Sequence, residues 1–231
     1  NLILNEGNGY VILTDAKQNV TREYEINSET YSLSYNLPGA TLFRGQFTFS
    51  GSTINGDLRI PQDISYSNEP ASLMVYVYNE QFEISGSINK IYLSGGISTQ
   101  DIFGPQISFE NKNGVKLEHG DHFSKNEDLI IRLSDPLGIN LTNETGHEII
   151  VDDLNKITSI SVTNDFFYDQ NSITTGKIFY QTNENIIHLK VKAWDNANNF
   201  SEKEVELFRS QDDKLRIYNS YNFPNPFITE T

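Results

Sequence analysis

Five consecutive residues, Asp195-Asn196-Ala197-Asn198-Asn199, place hard oxygen donors at short spacing. Ca²⁺ takes about six to eight such oxygens, so Asp195, Asn196 and Asn198 form a candidate calcium set. The stretch lacks the glycine and closing glutamate of an EF-hand loop. Asp and Asn side chains also bond their own backbone and tolerate left-handed conformations, so a hairpin turn is the simpler reading of the same residues. Asp135, Asn140 and the pair Asp152-Asp153 are secondary candidates for the same chemistry.

The four histidines offer less. His119 and His122 stand three apart, a spacing that shares a metal on a helix, but the intervening Gly120-Asp121 and the strand-like flanks spell an exposed turn. His147 follows Gly146 at a strand entrance with no evident serine or cysteine partner. His188 opens a strand and faces away from its apolar series. Cysteine is absent, which removes both a thiol nucleophile and disulfide stapling. Adjacent carboxylates occur at Asp152-Asp153 and Asp212-Asp213, but glycoside hydrolysis needs two at a fixed spatial separation, and no acid/base constellation is legible. Tyr76, Tyr78, Tyr218 and Tyr221 offer a platform for carbohydrate or peptide, or else cross-strand pairs that fill a sheet. No catalytic residue is assigned.

The elements that must carry these groups are strands. The run Ile187 to Ala193 alternates apolar and polar residues, ends at the one tryptophan, Trp194, and is followed after the Asp-Asn turn by a second alternating run, Glu202 to Phe208. This spells a hairpin whose tryptophan is expected to help fill a sandwich core. Upstream, Arg22 to Ile26 and Thr30 to Tyr35 are spaced to pair, and Leu42 to Phe49 sets phenylalanines on one face. Gly56 to Pro61 reads as a short strand closed by its proline, and Ala71 to Tyr78 and Ile88 to Leu93 follow. After Gly104-Pro105 come Gln106 to Glu110, Asp128 to Asp135, Glu148 to Val151, Ser159 to Val162 and Gly176 to Tyr180. Asn164 to Ser172 leaves room for a short helical turn. Helical periodicity is missing throughout.

With 12% aromatic residues and 37% hydrophobic residues, 231 residues suffice for two core-building domains. The pattern predicts an all-β chain of two consecutive β-sandwich domains of immunoglobulin-like size, 1–103 and 104–211, with a tail, 212–231, that begins a further β domain. The first residue is Asn rather than Met, and a fragment of a longer protein is expected. The formal charge of -14 argues against nucleic acid, whose phosphates call for clustered Lys and Arg. No run of about 18 apolar residues exists to span a bilayer as a helix.

Several stretches taken in order form a recognisable set: Leu42-Phe43-Arg44-Gly45, Gly56-Asp57-Leu58, Ile60 to Tyr66, Gly104-Pro105-Gln106-Ile107, Gly138-Ile139-Asn140, Gly146-His147-Glu148-Ile149, Phe166-Phe167-Tyr168, Lys192-Ala193-Trp194-Asp195 and Asn222-Phe223-Pro224-Asn225-Pro226-Phe227. Over most of residues 40–231 they resemble the region that follows the peptidase domain in the type IX secretion sortases, gingipain-like cysteine peptidases of the Bacteroidetes outer surface. That resemblance implies an exported protein at the outer membrane surface, peripheral rather than spanning. It implies a non-catalytic β scaffold whose partners are its own peptidase domain and outer-membrane secretion components. The family's Cys and His belong to the preceding domain, so no catalytic residue carries over. The alternative is an adhesin or carbohydrate-binding module of a secreted enzyme.

Overall fold

A computed structural model describes residues 6–51, 53–65, 67–96, 100–125 and 127–210. Every regular element in them is a strand apart from one 3-10 turn, Thr163–Asp165, which falls in the stretch where a helical turn was expected. The fold is all-β, as the alternation requires. The expected tail, 212–231, lies outside the described residues, as do Asp212, Asp213, Tyr218 and Tyr221.

Residues 104–210 form a sandwich. One layer contains β7 (Gln106–Glu110), β8 (Lys116–Leu117), β10 (Leu129–Ser134), β13 (Phe167–Tyr168) and β14 (Thr175–Tyr180). The facing layer has the order β12 (Thr158–Ser161), β11 (Ile150–Asp153), β15 (Ile186–Trp194), β16 (Phe200–Arg209), β9 (His122–Phe123). The pleat decides what is buried. Leu129, Ile131 and Leu133 of β10 are fully buried, and Leu189, Val191 and Ala193 of β15 meet them from the other layer. Each fully buried Leu or Ile contributes roughly 1.5–3 kcal/mol relative to exposure.

The described part of residues 6–103 is also built of strands. β1 (Glu6–Thr14), β4 (Thr41–Ser50), β5 (Ala71–Tyr78) and β6 (Glu83–Ile91) make one antiparallel layer in the order β6-β5-β1-β4. That layer continues the front sheet of the sandwich through a parallel contact, Tyr168 opposite Gly45, giving nine strands in all. Gly45 permits the junction. A Cβ there would stand 2.6 Å from the Phe43 ring and 3.3 Å from Tyr168 Cβ. The space is taken instead by Phe43 and Tyr168, stacked at 4.6 Å. Leu13, Leu42, Phe43 and Ile64 accordingly share one buried cluster with Phe166, Tyr168 and Ile139. Gly104-Pro105 does separate β6 from β7, but sheet and core run across it.

β2 (Gln18–Ile26) and β3 (Glu29–Leu37) form a separate two-stranded ribbon that turns at Asn27 and Ser28, both with positive φ. The expected pairing of these segments is found. The segment Gly56 to Pro61, expected as a strand, forms none. It is a strap held by single contacts instead of a ladder, the Gln62 N–H donating to the Asn196 carbonyl at 2.9 Å. Trp194 also departs from expectation. The odd-numbered residues of β15 face the core, so even-numbered Trp194 lies half-buried on the outer face, beside Phe200 at 4.9 Å and His147 at 5.8 Å.

Candidate functional site

The turn between β15 and β16 is the convergence point of the remote loops. Asp195 is fully buried and holds the turn by itself. Its Oδ1 accepts the N–H groups of Ala197 at 2.9 Å and Asn199 at 2.7 Å, and its Oδ2 accepts Asn199 Nδ2 at 2.8 Å. Asn198, with φ +65, adopts the left-handed conformation that Asn tolerates. The hairpin-turn reading therefore describes these residues.

The three candidate calcium ligands face different partners. Asn196 Nδ2 donates to the Leu137 carbonyl at 2.8 Å, and its Oδ1 is buried without a hydrogen-bond partner. Asn198 Nδ2 donates to Asp63 Oδ1 at 2.7 Å, and its Oδ1 accepts from Asn140 at 3.0 Å. Asp195 instead keeps company with two other carboxylates. One oxygen each of Asp101, Asp135 and Asp195 lie within 4.8 Å of one another. Among the described residues these three carboxylates are placed to hold a metal. Burial, with Asp195 and Asp101 adding their negative charge, pushes the Asp135 carboxyl up to about 6 despite the Leu137 N–H it accepts at 2.7 Å. Gly138 (φ +87) closes the same turn, where a Cβ would stand 2.7 Å from the Tyr168 hydroxyl and 2.8 Å from Asn196 Nδ2.

A second polar node sits beside the first. Asp63, on the strap, accepts from Asn140 Nδ2 at 2.8 Å and from Asn198, and pairs with His147 Nδ1 at 2.5 Å. Burial alone would raise the Asp63 pKa; the hydrogen bonds from His147, Asn140 and Asn198 outweigh it and hold the carboxyl below its ordinary value. Asn140 Oδ1 in turn accepts the Thr142 N–H at 3.0 Å and hydroxyl at 2.7 Å. An Asp-oriented histidine is half of a general-base pair, and the other half is a hydroxyl or thiol on the far nitrogen. Among the described residues the side-chain hydrogen bond of His147 goes to Asp63. Asp63 carried no role in the sequence reading. Its partners lie 77 to 135 residues away, and no local pattern announces them.

The other candidates are separated. His119 Nδ1 accepts the Glu206 N–H at 3.3 Å, whereas the His122 ring stacks on Phe208 at 5.3 Å. His188 pairs with Glu204 across the outer face at 2.7 Å. Asp152 pairs with Lys192 at 2.8 Å while Asp153 caps the following turn through the Asn155 and Lys156 N–H groups. Tyr76 and Tyr78 do come together, with Tyr10, on the outer face of the nine-stranded sheet.

The fold and these nodes define a layered all-β protein whose loop cluster at one end of the sandwich is held by two carboxylate centres, one fully buried at Asp195 and one partly buried at Asp63. No protein-family model matches the chain, and no curated protein matches it. Among solved structures it is similar to the crystal structure of dimeric latent PorU from Porphyromonas gingivalis, at 21% identity and a TM-score of 0.47. That match covers 92% of this chain and 20% of the PorU chain. Among the described residues no helix is long and apolar enough to cross a membrane.

Proposed function

We propose that the chain is a non-catalytic β scaffold of a bacterial surface peptidase of the type IX secretion kind, holding the β2–β3 ribbon out to a partner domain. The ribbon is the observation that carries this reading. One face bears Val20, Tyr24, Ile26, Tyr31, Leu33 and Tyr35, with Val20 opposite Tyr35 and Tyr24 opposite Tyr31 but Leu33 opposite Arg22 and Ile26 opposite Glu29; the other bears only Asn, Thr, Ser and Glu. Five of those six apolar residues are 39–53% exposed, so the ribbon is amphipathic with its apolar side uncovered. A two-stranded ribbon is marginal alone in water, and a face that exposes this many large apolar side chains, with Arg22 and Glu29 among them, marks an interaction surface. The polar nodes support the same role from the other side. The Asp63 carboxylate ties three separate segments together and the Asp195 carboxylate locks its own turn, which makes a stiff mount.

The ordered motifs from Leu42 to Asp195 favour, as occupant, a peptidase domain of the same protein, with outer-membrane secretion components as further partners and an exported surface location. The gene should then encode a Cys/His peptidase domain upstream. That domain, immobilised, should capture this chain, and Leu33→Asp should cut capture at least tenfold while leaving the melting temperature unchanged. A reading frame without such a domain, or capture indifferent to Leu33→Asp, refutes the proposal.

A further inference from the structure

The face of the nine-stranded sheet that points away from the core bears a patch chemically unlike the ribbon. Register places Asn8, Thr48, Tyr78 and Glu83 in one row across β1, β4, β5 and β6, and Tyr10, Gln46, Tyr76 and Ser85 in the next. The three tyrosine rings form a nearly equilateral triangle, with centroids 5.7, 5.9 and 6.4 Å apart and planes within 30° of one another. A single column of stacked rings would put the outer two at twice the spacing of the inner pairs, so the three rings form a compact cluster. Tyr76 is fixed by its hydroxyl, which donates to Glu83 Oε2 at 2.6 Å. The rim is fixed as well: Gln170 Nε2 donates to Asn8 Oδ1 at 2.9 Å, and Asn171 binds Thr48 through backbone and hydroxyl, each at 2.9 Å.

We infer that this tyrosine patch is a binding site for a neutral oligosaccharide. A pyranose ring offers an apolar C–H face, which suits the electron-rich face of an aromatic ring, and a hydroxyl periphery, which suits amide, hydroxyl and carboxylate groups. The two rows supply both and contain no Leu, Ile or Val of the kind that fills a protein–protein core. They also contain no Lys or Arg, the one cation of the next row being Arg44 opposite Ile12, and they hold one carboxylate on a chain of charge -14, so the overall field disfavours anionic glycans. Pre-fixed side chains reduce the ordering cost of binding. The site is independent of the ribbon, so the scaffold reading and this one stand or fall separately.

The test uses the intact chain with cellohexaose, mannohexaose and laminarihexaose as neutral probes and oligogalacturonate as the anionic one, measured by calorimetry and by saturation transfer to the sugar C–H protons. At least one neutral hexaose should bind, with transfer strongest at the C–H positions of one ring face. Tyr78→Ala should weaken binding at least tenfold, Tyr76→Phe should keep most of it, and Tyr24→Ala on the ribbon should leave it unchanged. The inference is overturned if no neutral probe binds, if oligogalacturonate binds as tightly, or if Tyr78→Ala and Tyr76→Ala retain wild-type affinity. It is equally overturned if gel filtration shows a dimer that Tyr76→Ala dissociates, because a second copy then covers the face.

Discussion

Asp135→Asn should stabilise this protein at neutral pH and do almost nothing at low pH. Asp135 is 3% exposed and shares its surroundings with the carboxylates of Asp101 and Asp195. Folding raises its pKa from 3.8 to about 6, chiefly by burial and then by those two negative charges. The folded state therefore binds the proton more tightly than the unfolded chain does. The benefit is complete below about pH 4, drains away between about pH 4 and 6, and is a standing penalty above that range. A shift of about two units corresponds to a ceiling of roughly 3 kcal/mol. Coupling to Asp101 and Asp195 spreads the proton over the group, so about 1–2 kcal/mol is expected for Asp135 alone. The asparagine is isosteric, its Oδ1 can still accept the Leu137 N–H, and its amide can donate to either neighbouring carboxylate. Urea unfolding of both proteins at pH 4 and pH 7.5 reads the difference directly. A loss of stability in Asp135→Asn at pH 7.5, together with a gain in the wild type on adding Ca²⁺, would mean that a cation rather than a proton neutralises the three carboxylates. That pair of results would refute the reasoning.

Three further outcomes are expected. Chelation by EDTA should leave the wild-type melting temperature unchanged, because all the Asp195 hydrogen bonds seen here are made within its own turn. Asp63→Ala should cost about 2–4 kcal/mol by leaving Asn140, Asn198 and His147 without their shared acceptor, as a thermal melt will show. Because the Asp63 carboxyl is held low, its contribution is present above pH 4 and is lost as pH falls through its folded pKa, so the difference between the two proteins should shrink in acid. Arg209→Met should cost about 3 kcal/mol, since the guanidinium holds the carbonyls of Thr182, Glu184, Lys125 and Glu127 at the far end of the sandwich. Hydrogen exchange should accelerate first at the Phe208 and Ser210 amides, which close that end through Asp121 and Phe123.

The sequence reveals strands wherever one face is buried and the other wet. Period-2 alternation located β10 and β15 because Leu129, Ile131 and Leu133, like Ile187, Leu189 and Val191, line a single face. The same alternation already assigned Trp194 to the other face. Expecting it in the core weighed side-chain size above register, and register decides. The joining of the two halves is a different matter. It passes through a two-residue strand, β13, and a parallel contact between Gly45 and Tyr168, which lie 123 residues apart. Nothing local to Phe167-Tyr168 distinguishes it from a loop, so this contact has no signature in the sequence.

The candidate site divides along the same line. Asp195, Asn196 and Asn198 were visible as a set because their spacing is local, yet they form a turn in which Asp195 satisfies chain neighbours, Asn196 one distant loop and Asn198 two. The carboxylates that gather around Asp195 come from Asp101, just before the Gly104-Pro105 break and without a site role in the sequence reading, and Asp135, a secondary calcium candidate on a separate loop. A metal or proton site assembled from three loops has no spacing rule to find it by. What identifies it is an electrostatic consequence of folding, the raised Asp135 pKa, which exists only once burial and two remote charges act together. The same holds for Asp63, whose depressed pKa records three donors from three segments. In this protein two carboxylates of the loop cluster are perturbed in opposite directions: partly buried Asp63 meets three donors, whereas buried Asp135 meets two other carboxylates beside the single Leu137 N–H. One carboxylate therefore fastens the strap to the sandwich, and the other stores a proton-dependent strain in the same loop cluster.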